Sequence, residues 1–169
     1  GIYQYSNSAI LFDPATNTFL DAAALPGERG LHTATLLNDG KVLVVGGEYY
    51  ADGIAYRADS QLYDPAQDAW SPKAPIPTAR ALHSATRLPD GRVLVAGGFD
   101  GATYLADTRI YAPATNTWAL ADALTTPRRE HTAVLLPSGS VVVAGGIAYD
   151  PILGIFVNPS LERFDPKTG

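Results

Sequence analysis

The chain has 169 residues, 46% of them hydrophobic and 17% charged, which is too apolar and too weakly charged for a disordered segment and enough for about one domain. Cysteine and methionine are both absent, so disulfides, cysteine-ligated zinc, iron–sulfur clusters and thiol catalysis are excluded within these residues. Twelve basic against 17 acidic side chains leave a net charge of -5, which argues against a nucleic-acid or anionic-membrane surface, and no apolar run approaches the roughly 18–20 residues that span a bilayer.

The first element is a short strand around Ala9 to Phe12, closed by Asp13-Pro14, and Phe19 sits in the strand that follows. Leu31 to Leu37 is β-branched and apolar and ends at Asn38-Asp39-Gly40, a strong hairpin signal because glycine accepts positive φ. Val42 to Val45 follows without polar alternation, the pattern of a strand buried on both faces. Gly46-Gly47 ends it, and after a variable loop come a strand at 60–63, an Asp64-Pro65 turn and a last short strand carrying Trp70.

This order then repeats. Gly46-Gly47, Gly97-Gly98 and Gly145-Gly146 are spaced by 51 and 48 residues, as are His32, His83 and His131, and Arg29, Arg80 and Arg128. Phe12, Tyr63, Tyr111 and Phe164 form a further series, and an aromatic follows seven residues later in the pairs Phe12/Phe19, Tyr63/Trp70 and Tyr111/Trp118. Residues 29–47 and 80–98 share 13 of 19 positions without a gap. Self-similarity at such a period marks an array of repeated supersecondary units. Labelled a to d, the strands read c-d, a-b-c-d, a-b-c-d, a-b-c, with unit boundaries expected at 1–28, 29–79, 80–127 and 128–169.

The double glycines followed by the spaced aromatic pairs resemble the kelch repeat, and the phrase at 89–98 is most similar to the repeats of galactose-oxidase-like bacterial and fungal proteins. Phe19 stands where tryptophan is usual, and Ala112 replaces the turn aspartate. The resemblance implies an all-β fold of four-stranded propeller blades, about three and a quarter of them here. A propeller closes with about 4–8 blades. The expectation is therefore either a head-to-tail homodimer giving six blades, with one duplicated c strand displaced, or completion by further blades of a longer chain. A start at Gly1 without methionine reads as a processed or excised product, and an engineered half-propeller closing as a dimer fits the same pattern.

In kelch propellers the b–c and d–a loops share one face, which makes their residues the candidate ligand rim. The arginines Arg29, Arg80 and Arg128 are expected to ring that mouth and hold carboxylates or phosphates, or else to pair with an acid of a neighbouring blade. Arg129 joins them as the most individual residue of the three openings. The b–c loops add Glu48, Tyr49, Tyr50, Phe99, Asp100, Tyr149 and Asp150, the mixture of aromatic rings and charge that recognition surfaces use for peptides or sugar faces. His32, His83 and His131 read as structural imidazoles bonded to a neighbouring blade's backbone.

No cofactor and no metal is expected: Glu48, Asp52, Asp100 and Asp150 lack calcium-loop spacing. There is no cysteine for the copper radical site that galactose oxidase builds, no Gly-x-Ser-x-Gly elbow and no phosphate loop. The reading is a non-catalytic binding or scaffold module for a protein, peptide or glycan. The alternative is an incomplete part of a galactose-oxidase-like or carbohydrate-active extracellular protein. The composition leans toward a secreted or periplasmic bacterial protein.

Overall fold

The computed structural model describes residues 5–168, and they are all β. A two-stranded piece comes first, β1 (Ala9–Asp13) with β2 (Thr18–Ala22). The first complete blade is β3 (Thr33–Leu36), β4 (Val42–Val45), β7 (Ser60–Asp64) and β8 (Ala69–Lys73), with a separate hairpin β5 (Glu48–Tyr50) and β6 (Ile54–Tyr56) between its middle strands. The second blade is β9 (Ser84–Arg87), β10 (Val93–Ala96), β11 (Thr108–Ala112) and β12 (Thr117–Leu120). A short strand β13 (Arg128–Arg129) then precedes β14 (Thr132–Leu135) and β15 (Val141–Ala144); after the hairpin β16 (Ile147–Asp150) and β17 (Gly154–Val157), β18 (Leu161–Phe164) completes a three-stranded sheet. The a-b-c-d order thus appears as antiparallel neighbours.

Two b–c connections expected as loops are hairpins. In the first, Asp52 and Gly53 both take positive φ and turn the chain, so that Tyr50 faces Ile54 and Glu48 faces Tyr56. In the third, the turn after Asp150 sends β17 back along β16, and β16 pairs on its other side with β13. Pro72 lies in β8, the outermost strand, where a missing N–H breaks no ladder.

The b strands carry the core because both their faces are covered. Leu43 and Val45 pack with Val93, Val95 and Tyr111 of the next blade, and Leu94 and Ile110, from the second blade's other face, pack with Val141, Val143 and Phe164. Each such buried aliphatic side chain is worth about 1.5–3 kcal/mol. The blades therefore associate face to face through alternating residues of one strand.

Polar bonds repeat at each seam. Leu82 N–H donates to Leu31 O and Glu130 N–H to Leu82 O; Gly47 N–H donates to Arg80 O and Gly98 N–H to Arg128 O. Toward the rim of each blade, Trp70 Nε1 donates to Ala23 O at 2.7 Å and Trp118 Nε1 to Ala74 O at 2.8 Å. Asp68 and Asn116, both at positive φ in the c–d turn, accept from the N–H of the same Ala23 and Ala74. A side chain at the first glycine of the first or second pair would destroy this approach: a Cβ on Gly97 meets Arg128 O at 2.6 Å and His131 Cε1 at 2.8 Å.

Gly97→Val is expected to lower unfolding free energy by about 3 kcal/mol or more, through that overlap and its φ of 61°. Gly40→Ala, at a φ of 82° with open space around it, is the control and should cost about 1 kcal/mol. Urea denaturation of the two variants decides; equal losses would contradict the seam described above.

Candidate functional site

The b–c connections of successive blades lean on one another through a row of rings. Tyr56 of the first hairpin meets Phe99 edge-on at 5.7 Å, Phe99 contacts Tyr104 at 5.4 Å, and Tyr104 lies at 6.4 Å from Tyr149 with ring planes 16° apart. Arg129 extends its guanidinium over this row, 5.3 Å from the Phe99 centroid and 5.2 Å from that of Tyr104, within the range of favourable cation–π contact. Between the second and third blades these groups bound a cleft of about 530 Å3, with Phe99, Thr103 and Tyr104 on one side and Pro127, Arg129, Tyr149 and Ile155 on the other.

Strand pairing positions Arg129. Gly30 and Ala81, its counterparts, pair with Glu48 and Phe99, and Arg129 pairs with Ile147. Only the third blade puts a long side chain at this place. Its Nη1 comes within 3.6 Å of Glu130 Oε1, beyond hydrogen-bond reach, and its buried Nε finds no partner among the described residues.

Arg29, Arg80 and Arg128 have a different fate and do not line the rim. Their side chains are fully buried. Each donates from Nη1 to the carbonyl of the first glycine in its own blade, Gly46, Gly97 or Gly145. Each also holds an acid on the same blade, not the neighbouring one: Arg29 with Asp59 at 2.7 Å, Arg80 with Asp107, and Arg128 with Glu162 at 2.5 Å. Burial would raise the pKa of Asp107, but its bonds to Arg109 and Arg80 and their positive charge hold it below the usual carboxylate range. Removing the acid would leave a buried guanidinium without its counter-charge, which costs less than the roughly 3–5 kcal/mol of a fully buried pair because the carboxylates are 18–34% exposed. These arginines tie the end of strand b to the start of strand c.

The other rim candidates divide. Asp100 accepts from the N–H groups of Ala102 and Thr103 and from the Thr103 hydroxyl; Asp150 accepts from the N–H groups of Ile152 and Leu153. Both carboxylates therefore fold their own turns. Glu48 is buried and accepts from the Tyr5 hydroxyl at 2.7 Å. Tyr49 lies under the Arg57 guanidinium at 4.2 Å, and Tyr50 is exposed beside it on the first hairpin. Phe99, Arg129 and Tyr149 come together in the cleft. Tyr104, Pro127 and Ile155 complete it, and sequence reasoning missed all three.

The histidines sit at the seams; His83 and His131 bond side chains of the preceding blade, and His131 also meets the backbone of Ala96 there. His83 Nε2 bonds Thr33 Oγ1 and His131 Nε2 bonds Ser84 Oγ, each at 2.9 Å across to the preceding blade. His32, with no strand a before it, finds no hydrogen-bond partner among the described residues. Of the repeat aromatics, Tyr63 and Tyr111 stack on Trp70 and Trp118 at 5.0 Å and donate to Asp68 and Asn116.

Residues 80–124 match the family model described as Kelch motif. Over 94 residues the chain is 33% identical to Kelch-like protein 36 of Rattus norvegicus, and equally to that of Mus musculus; this stretch is 56% of the present chain and 15% of each relative.

Stability should depend on pH through the seam histidines. Burial, reinforced by Arg80, pulls His83 down to about 3, and burial with Arg128 pulls His131 down to about 4. An unfolded histidine titrates near 6.5, so the unfolded chain binds protons first as pH falls, and the stabilisation present above that value is lost toward pH 4. The urea midpoint is expected to drop between pH 7 and 4.5, above the range where the paired carboxylates protonate. His83→Gln combined with His131→Gln should flatten that slope, and an unchanged slope would rule these two histidines out as its source.

Proposed function

We propose that this kelch-repeat chain is a non-catalytic interaction module that binds a segment of a protein partner in the cleft between its second and third complete a-b-c sheets. The observation that carries the reading is the row Phe99, Tyr104 and Tyr149 under Arg129, because these rings are not needed to build a blade and the other repeats have neither a ring at the place of Phe99 nor an arginine at that of Arg129. Large rings with one polar group set among them are what the centres of protein interfaces use. The match to kelch-like relatives supports an interaction role.

Peptides selected from a random displayed library on the wild-type chain should lose binding to Tyr149→Ala, a truncation of a ring that is 54% exposed and so removable without unfolding. No enrichment, or enrichment indifferent to Tyr149, would overturn the site. A sugar ligand would show instead as glycan-array binding sensitive to the same variant.

The reading extends to the two end faces, which we propose are closed by a second copy of the chain. Among the described residues, His32 and the Leu31 N–H on one face and the Glu130 carbonyl and the Thr132 hydroxyl on the other make no hydrogen bond. These are the groups, in the same phase, that bond at the two internal seams. Gly145 has only Asn158 O near its Cβ position, at 3.9 Å, where Gly46 and Gly97 have the next blade's carbonyl and imidazole. Exposed Phe12, Phe19 and Leu20 at one end and Val134 and Leu161 at the other would be covered, and one of the duplicated c strands, β1 or β18, would give way. Light scattering should return about twice 17.8 kDa for the wild type and the single mass for Gly145→Val. A monomeric wild type would overturn closure by a second copy.

A further inference from the structure

Resting on the cleft as a peptide site, we infer that its occupant is an extended peptide presenting a carboxylate side chain next to a large apolar residue, with the carboxylate on Arg129 and the apolar residue against Tyr149 and Ile155. The charge balance of the cleft points this way. Arg129 is half-buried, held in place by two aromatic faces, and its one acidic neighbour, Glu130, stands 3.6 Å away with its side chain 43% exposed to water. Of the other rim acids, Asp100 engages both oxygens within its own turn and Asp150 engages Oδ1 in its turn. The cleft therefore offers one guanidinium, and the rest of its lining is ring, aliphatic side chain and hydroxyl without a carboxylate.

That imbalance selects among ligands. A neutral sugar brings many hydroxyl donors that need acceptors, and no carboxylate lines the cleft. A carboxylate needs only donors, and a guanidinium meets it with two parallel N–H groups in one plane. Stacking on Phe99 and Tyr104 pre-sets the guanidinium, so little side-chain freedom is lost when the acid arrives. Beside it, Ile155 is 66% exposed and Tyr149 54% exposed, an apolar ledge with nothing on it. A volume of about 530 Å3 lies inside the roughly 300–1,000 Å3 span of sites for drug-sized molecules, enough for a few residues of extended chain. Arg129 is also free of a structural duty: no carboxylate or carbonyl of the blade depends on it, in contrast to Arg128 one residue earlier.

The test is an array of nonapeptides in an alanine–serine background, each carrying one Asp or Glu beside one Leu, Ile or Phe, and each paired with its Asn or Gln isostere. On the wild-type chain the acidic member should bind about tenfold more tightly than its isostere, the scale of a charge-assisted hydrogen bond. On Arg129→Gln the two should bind alike, while the melting temperature falls by no more than the few degrees that two cation–π contacts supply; Arg129→Lys should restore part of the preference. Peptides that bind through Tyr149 with no acidic preference would overturn the inference and leave the peptide site standing. Failure of every peptide to bind would overturn the peptide site itself, as would dependence on Arg129 and Tyr149 shown only by a uronic-acid oligosaccharide.

Discussion

Everything in this chain depends on how closely one blade can approach the next at the first glycine of each pair. Where Gly46 and Gly97 have no side chain, the carbonyl of the following blade's arginine and the edge of its histidine fill the space. The arginine, the glycine and the histidine are thus one device. Arg80 offers its backbone carbonyl to Gly47 of the blade before, while its guanidinium grips the carbonyl of Gly97 in its own. His83, three residues on, reaches back to Thr33. A repeat that keeps arginine, histidine and double glycine in fixed phase is conserving a seam, and the apolar faces of the b strands follow because the seam sets how they meet.

Much of the fold is legible in sequence because its signals are local. The strand order a-b-c-d could be read from the Asp-Gly turns, the unbroken valine runs and the aromatic pair seven residues apart, and each is a short-range pattern. The hairpins β5–β6 and β16–β17 were not legible, since their alternation is brief and the loops differ in length. The burial of the arginines was hidden for another reason: their acids lie 27 to 34 residues away. In the third blade the acid has even moved. Ser160 occupies the place of Asp59 and Asp107, and Glu162, two residues along the same strand face, supplies the carboxylate while the serine hydroxyl takes a further donor from Arg128. An alignment of repeats sees a lost aspartate there, and only the structure shows the replacement.

The cleft was half legible for a related reason. Phe99 and Arg129 depart visibly from the repeat, and Tyr149 lies in a connection whose length differs from the others, so they could be singled out. Tyr104 could not, because the second b–c connection is shorter than the others and brings it to the position that Tyr56 holds in the first blade and Val157 in the third by a different count of residues. Pro127 and Ile155 carry no signal of their own; they become part of a site only when two blades are laid side by side.

Arg128 and Arg129 show how one short segment serves both purposes. Neighbours in an extended chain point to opposite sides, so Arg128 turns inward to the glycine carbonyl, Ser160 and Glu162, and Arg129 turns outward over the rings. The inward residue is constrained by the blade and recurs as Arg29 and Arg80. The outward one is free to vary and does, through Gly30 and Ala81. A fold built from repeats can change its binding surface at such positions without disturbing the seam, because the strand that anchors the structural arginine is the same strand that presents the variable one.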